Sequence, residues 1–137
     1  MDVLSPTRTG VATMTVRIFS FGFKYGFPAE ADIVLDVRCL PNPFYEDDLR
    51  PLTGNDAVIQ EYVLQSADAV AYLHHIVALL THAIPMYQKK GREQLTVAIG
   101  CTGGKHRSVT VVNRLADALG HLTDCPILTE HRDMGRE

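Results

Sequence analysis

The chain has 137 residues, 46% of them apolar and 21% charged, which is the size and balance of one ordinary globular domain and excludes a two-domain enzyme, a collagenous repeat or a disordered chain. Thirteen Lys and Arg against sixteen Asp and Glu give a net charge of −3, too small to predict nucleic-acid or membrane binding from the total. The longest unbroken aliphatic run, Ile76–Leu80, has five residues, far short of the ~20 that span a bilayer, so no membrane partner is expected.

Residues 1–14 mix Asp2, Pro6, Arg8 and Gly10 and hold no apolar stretch of the signal-peptide kind. They read as a flexible lead-in to one domain over 15–137, and the protein as cytoplasmic. Cys39, Cys101 and Cys125 are odd in number and form no C-x-x-C pair, which argues against a disulfide framework or a structural zinc site. His74, His75 and His82 lack the acidic residue and spacing of H-E-x-x-H, so no metal is expected there. No cofactor is implied by any motif.

Thr15–Phe21 alternates polar and apolar residues with β-branched and aromatic content, and predicts a strand. A loop punctuated by Gly26 and Pro28 leads to a second short strand, Ile33–Val37. The breakers Pro41, Asn42, Pro43, Pro51 and Gly54 then predict a long irregular connection. Asn55 or Asp56 caps a helix through Ile59 and Val63, and a longer helix follows from about Asp68 to Tyr87, with Leu73, Ile76, Val77, Leu80 and Ile84 as its apolar stripe. Leu95–Ile99 is a third strand, Val109–Leu119 a helix, and Pro126–Leu128 a last short strand. Strands alternating with helices predict an α/β fold: a single three-layer domain with a mostly parallel sheet, right-handed crossovers, and ligands at the carboxyl ends of the strands.

Between the third strand and its helix lies Gly100-Cys101-Thr102-Gly103-Gly104-Lys105-His106-Arg107-Ser108. Helix-start amides have no partners within the helix and lie at the positive end of its dipole, and paired glycines let the main chain curl around a tetrahedral oxyanion. Lys105 and Arg107 would oppose that dipole without an anion to offset them. The stretch 88–114 carries Lys89, Lys90, Arg92, Lys105, Arg107 and Arg114 against Glu93 alone, which marks one anion-attracting region in an otherwise acidic chain. The spacing is not that of a Walker A loop, because Lys105 is followed by His106 and the fifth residue before Gly104 is Ile99.

The same loop fits C-x5-R-S, Cys101 to Arg107 and Ser108, and resembles the phosphate loop of cysteine-dependent phosphatases. That resemblance implies Cys101 as nucleophile, Arg107 as phosphate clamp and Ser108 as the hydroxyl that steadies the thiolate. Gly100 stands where those enzymes usually have a His, and the candidates for a general acid are Asp36, Asp47 and Asp48. The plainer reading of Cys101 is a small buried hydrophobe.

Five separated blocks carry a longer resemblance: SFGFKYGFP (20–28), LDVRCLPNP (35–43), LRPLTG (49–54), LTVAIGCTGGKHRSV (95–109) and HRD (131–133). In order and spacing they resemble the C-terminal domain of the RNase adapter family RapZ. The resemblance implies a domain that binds an amino-sugar phosphate, glucosamine-6-phosphate in enterobacterial members, that self-associates, and that in those members contacts small RNAs and an endoribonuclease. The P-loop ATPase domain of that family is not within these blocks, so ATP hydrolysis is not expected of them. Phe44 follows Asn42-Pro43 where enterobacterial members carry a His, and the tail Thr129–Glu137 lacks their Lys/Arg cluster.

The expected function is therefore a non-catalytic binding or sensor module for a phosphorylated small metabolite, a sugar or amino-sugar phosphate, acting as a homo-oligomeric regulatory adaptor with a protein partner and with RNA binding weak or absent; the alternatives are a cysteine-dependent phosphatase on the C-x5-R-S loop and an RNA-binding adaptor. The expected ligand set is Thr102, Gly103, Gly104, Lys105, His106, Arg107 and Ser108, joined by Ser20, Lys24, Asp36, Arg38 and Asn42 at the ends of the first two strands.

Overall fold

Residues 14–136 are described by the computed structural model. Residues 1–13 of the expected lead-in lie outside the described residues, whereas Met14 is buried in the core. Four strands, β1 (Thr15–Gly22), β2 (Ile33–Asp36), β3 (Gln94–Cys101) and β4 (Ile127–His131), form one sheet in the order β2-β3-β1-β4 with every pairing parallel. The two central strands are buried nearly throughout, which is why they read as apolar runs; the edge strands are shorter and more exposed. β3 and β4 each extend beyond the expected bounds, because parallel pairing with β1 recruits Gly100 and Cys101 at one end and Thr129–His131 at the other.

Three helices, α1 (Ala57–Val63), α2 (Ala67–Lys89) and α3 (Arg107–Gly120), connect these strands. The Ser66 hydroxyl caps α2 by accepting from the Ala69 amide at 3.0 Å. Val16 and Ile18 of β1 and Leu95, Val97 and Ile99 of β3 meet Ile59, Val63, Ile76, Leu80, Ile84, Val112, Leu115 and Leu119 in one core. The other sheet face packs Phe19, Phe21 and Ala98 under Phe23, Ala31 and Val34.

The parallel α/β sheet is covered on both faces as expected, but by unlike layers. All three helices share a core with the same sheet face, and the covering layer on the opposite face is the segment between β1 and β2, with a 3-10 turn at Phe23–Tyr25. The strand order explains it. The steps β2→β3 and β3→β4 run in the same direction across the sheet, so right-handed crossovers put their helices on one face, while β1→β2 runs the other way and crosses the other face.

α2 also corrects the run-length argument against a membrane span. Its 23 residues are long and apolar enough by length and composition to cross a bilayer, a property hidden because polar residues break the aliphatic run. In the fold, Ala69, Ile76, Leu80 and Ile84 are buried in the core, and Leu79 and Met86 are exposed.

The chain end beyond β4 is fixed by Asp133, whose side chain has no exposure to solvent. It accepts from the Gly22 amide at 2.8 Å and from the guanidinium groups of Arg132 and Arg136 at 3.0 Å. Burial pushes the carboxyl pKa up, but the bonds from Arg132, the Gly22 amide and Arg136 outweigh it, and the net shift is below the usual range. A depressed carboxylate contributes stability that is present above its unfolded pKa and lost as pH falls through the folded one. Asp133→Ala should cost about 2–3 kcal/mol, chiefly from the orphaned Gly22 amide, since both arginines are partly exposed and resolvate. Chemical denaturation at neutral and at acid pH checks this: the gap between wild type and Asp133→Ala should shrink at acid pH.

Candidate functional site

β1 and β3 lie side by side, yet their outgoing connections leave for opposite faces of the sheet, which opens a crevice at their carboxyl ends. The loop 102–106 fills this end and passes directly over β1. A Cβ built on Gly22 would sit 2.5 Å from the carbonyl carbon of Gly103, and one built on Gly104 would sit 2.6 Å from the Gly22 nitrogen. Gly104 has φ +77°, so both its backbone conformation and its closeness to β1 require glycine. Gly54 holds the loop from the other side, its amide donating to the Lys105 carbonyl at 3.0 Å.

A cavity of about 260 Å³ opens at this point, lined by Lys24 after β1, by Asn42, Phe44 and Tyr45 after β2, and by Cys101, Thr102, Gly103, Lys105, His106 and Arg107 after β3. Among the described residues, none accepts a hydrogen bond from the amides of Gly103, Gly104, Lys105, Arg107 or Ser108. Among the described residues, no carboxylate belongs to the lining.

Arg107 is the first residue of α3 and is 6% exposed. Its Nη1 donates to the carbonyls of Arg38 (2.6 Å) and Leu40 (3.4 Å), and its Nη2 to Thr102 Oγ1 (3.3 Å), so the guanidinium is fixed between the loop and the connection after β2. His106 Nε2 lies 3.0 Å from the Arg50 carbonyl and ties the loop to the same connection. Cys101, on the cavity wall, has its Sγ 3.1 Å from Ser108 Oγ, and both residues are buried. The space that a side chain at position 100 would need is filled by the rings of Phe21 and Phe23, which explains the glycine there.

Of the residues expected to bind ligand, the fold brings Lys24, Asn42, Thr102, Gly103, Lys105, His106 and Arg107 into one cavity, with Gly104 and Ser108 supporting it. Ser20, Asp36 and Arg38 are not in its lining. Ser20 is buried, its Oγ 2.7 Å from Nδ1 of His131, whose pKa burial pushes down. Asp36 and Arg38 are paired through both carboxylate oxygens, and these bonds hold the Asp36 carboxyl below its usual range. Arg38 stacks 4.0 Å above the Phe23 ring. Both side chains turn to each other because a bidentate pair two residues apart satisfies them locally.

Besides Cys101, the alternative nucleophile, Phe44 and Tyr45 are the lining residues that were not among the expected ligands. They sit on a 3-10 turn, Pro43–Tyr45, whose start is capped by Asn42 Oδ1 accepting from the Phe44 amide at 3.1 Å. Two adjacent aromatics in a Pro-rich connection, 44% and 76% exposed, were the available signal.

Comparison with known proteins identifies the family. The RapZ C-terminal domain family model matches residues 14–135. Proteins named nucleotide-binding protein are 47% identical over 136 residues in Sorangium cellulosum, 51% over 122 in Caldanaerobacter subterraneus and 53% over 119 in Limosilactobacillus reuteri. These alignments cover 99%, 89% and 87% of this chain but 38%, 43% and 41% of the relatives, so the chain spans about two fifths of the length of the curated relatives it matches. With the family model matching nearly the whole of it, the chain belongs to the RapZ C-terminal domain family.

Proposed function

We propose that this domain binds a phosphorylated small molecule of sugar-phosphate size as a non-catalytic sensor or regulatory module. The observation that carries the reading is the composition of one cavity: the cationic side chains of Lys24, Lys105 and Arg107 and, among the described residues, no acceptor for the loop amides and no carboxylate in the lining. A dianionic phosphate offers its oxygens and its charge to the loop amides and to the Arg107 guanidinium. At about 260 Å³ the cavity is at the small end of ligand pockets and suits a monosaccharide phosphate. The relatives' name, nucleotide-binding protein, is compatible with a phosphorylated ligand, although it belongs to proteins more than twice as long.

Thermal unfolding with orthophosphate, sulfate and glucose-6-phosphate tests this. A ligand at a hundred times its Kd stabilises by about 2.7 kcal/mol, so a clear rise in Tm is expected with glucose-6-phosphate. No shift with any of the three at millimolar concentration would overturn the reading.

A second reading, a cysteine-dependent phosphatase, is favoured by one observation, the 3.1 Å approach of Ser108 Oγ to Cys101 Sγ in a C-x5-R-S loop. Asp36 is spent on Arg38, and Asp47, paired with Arg50 at 3.0 Å, is likewise outside the lining, so the lining offers no carboxylic acid to a leaving group. Phosphate release from an aryl phosphate that disappears in Cys101→Ser would establish this reading.

RNA binding should be weak. Arg92 is paired with Asp32 and Arg17 with Glu130, which leaves few cations outside the cavity to neutralise phosphates. A mobility-shift titration near physiological salt should give no preference for a structured RNA over a scrambled control.

A further inference from the structure

The outward face of α2 lacks the charge that a solvated helix face carries. Asp68 stands at its start and Lys89 at its end, and no residue from 69 to 88 is Asp, Glu, Lys or Arg. Ala69, Ile76, Leu80 and Ile84 bury one side of the helix in the core. At about 100° per residue, positions 68, 71, 75, 78, 79, 82, 86 and 89 fall within one stripe on the opposite side, and every one of them is exposed. A helix that is apolar on both sides is normally covered on both, and an exposed apolar stripe about 30 Å long marks an interaction surface.

This stripe is complementary to itself. A two-fold axis between positions 78 and 79 runs two copies of α2 antiparallel, and sets Ala78 of one beside Leu79 of the other, Ala71 beside Met86, and Asp68 beside Lys89. Each exposed large side chain then meets an alanine, and each terminal charge meets its opposite. The same operation sets His75 beside His82, whose ring nitrogens can donate to and accept from one another. A parallel pairing would place Asp68 against Asp68 and Lys89 against Lys89, so the charges select the antiparallel one. Mostly apolar grooves flank the stripe, one against Leu122 and the other against Ile33, and give room to side chains at the partner's edges.

We infer that α2 is a docking surface for a second copy of this chain, packed antiparallel across a two-fold axis at Ala78 and Leu79. No residue of α2 lines the cavity over β1 and β3, so the association needs no ligand there.

Sedimentation equilibrium of the whole chain at about 1–200 µM tests this, since a seam of one helix per copy is small for a stable interface and should give a Kd on the order of 10 µM. Leu79→Glu brings a carboxylate from each copy to the axis and should weaken association at least about a hundredfold. Phe27→Glu, at an exposed aromatic outside α2, should leave it unchanged. Asp68→Lys and Lys89→Glu each put like charges together at both ends of the seam and should weaken association by about tenfold, and the double variant should regain the wild-type value. Melting temperatures at concentrations where every protein is monomeric read any cost to the helix itself, separately from association.

A wild-type chain that stays monomeric at about 200 µM overturns the inference, as does association that Leu79→Glu leaves intact. Single charge variants that weaken association without recovery in the double variant overturn the antiparallel pairing. A monomer that co-sediments with phosphatidylcholine vesicles overturns the inference too, and gives the face to a lipid surface.

Discussion

Gly104→Ala should lower stability by about 2–5 kcal/mol and remove phosphate binding with it. Two costs add at this residue. A φ of +77° costs a side-chain-bearing residue about 1–2 kcal/mol, and the new Cβ would fall 2.6 Å from the Gly22 nitrogen and 2.8 Å from the Phe21 carbonyl carbon, backbone atoms of the central strand that cannot rotate away. The loop must lift off β1, and the amides and Lys105 move with it. Gly91 separates the two costs, because it has φ +78° but nothing within 4 Å of an added Cβ. Gly91→Ala should show the conformational cost alone and leave binding intact. Gly120→Ala, within α3 and with open space around it, should be neutral or slightly stabilising. Denaturant titration of the three variants, with a phosphate titration of each, checks the ranking; a Gly104→Ala protein as stable as Gly91→Ala would show that the close approach to β1 is tolerated.

Arg107→Ala should weaken the phosphorylated ligand by at least about thirtyfold, the equivalent of roughly 2 kcal/mol for truncating one partner of a buried charge pair. The guanidinium is held by the Arg38 and Leu40 carbonyls through one nitrogen and by Thr102 through the other, so it reaches the cavity in a single orientation. Arg107→Lys keeps the charge and loses the planar fork, and should recover only part of the affinity. Cys101→Ala removes a thiol that offers a dianion nothing and should leave affinity largely intact. Ligand-induced shifts in Tm, read against each variant's own unliganded Tm, separate lost binding from lost stability. Equal loss in Arg107→Ala and Cys101→Ala would favour the phosphatase reading.

Much of the site was legible because its parts are close along the chain. A strand, two glycines, two cations and a helix start within nine residues describe a loop of free amides whatever surrounds it, since unsatisfied helix-start donors are a local property of the backbone. β1 and β3 were legible for a related reason: burial on both faces leaves an apolar run that can be read without knowing the neighbours. The connection 38–54 was not, because its Pro-rich stretch has no periodicity to indicate where its side chains point.

The sequence by itself determined the elements, the run of glycines and cations between β3 and α3, and the family. The tertiary structure decided which expected residues meet. Ser20, Asp36 and Arg38 lie near strand ends as anticipated, yet Ser20 turns to His131 and Asp36 to Arg38, while Phe44 and Tyr45 reach the cavity from a 3-10 turn. It also put all three helices on one sheet face, through a strand order that places β2 and β1 on opposite sides of β3. Order in a parallel sheet is fixed by contacts between segments far apart in the chain. Asp133 shows the same thing on a small scale: it belongs to the chain end by sequence, and to the β1 turn beneath Gly104 by the hydrogen bond it accepts from Gly22.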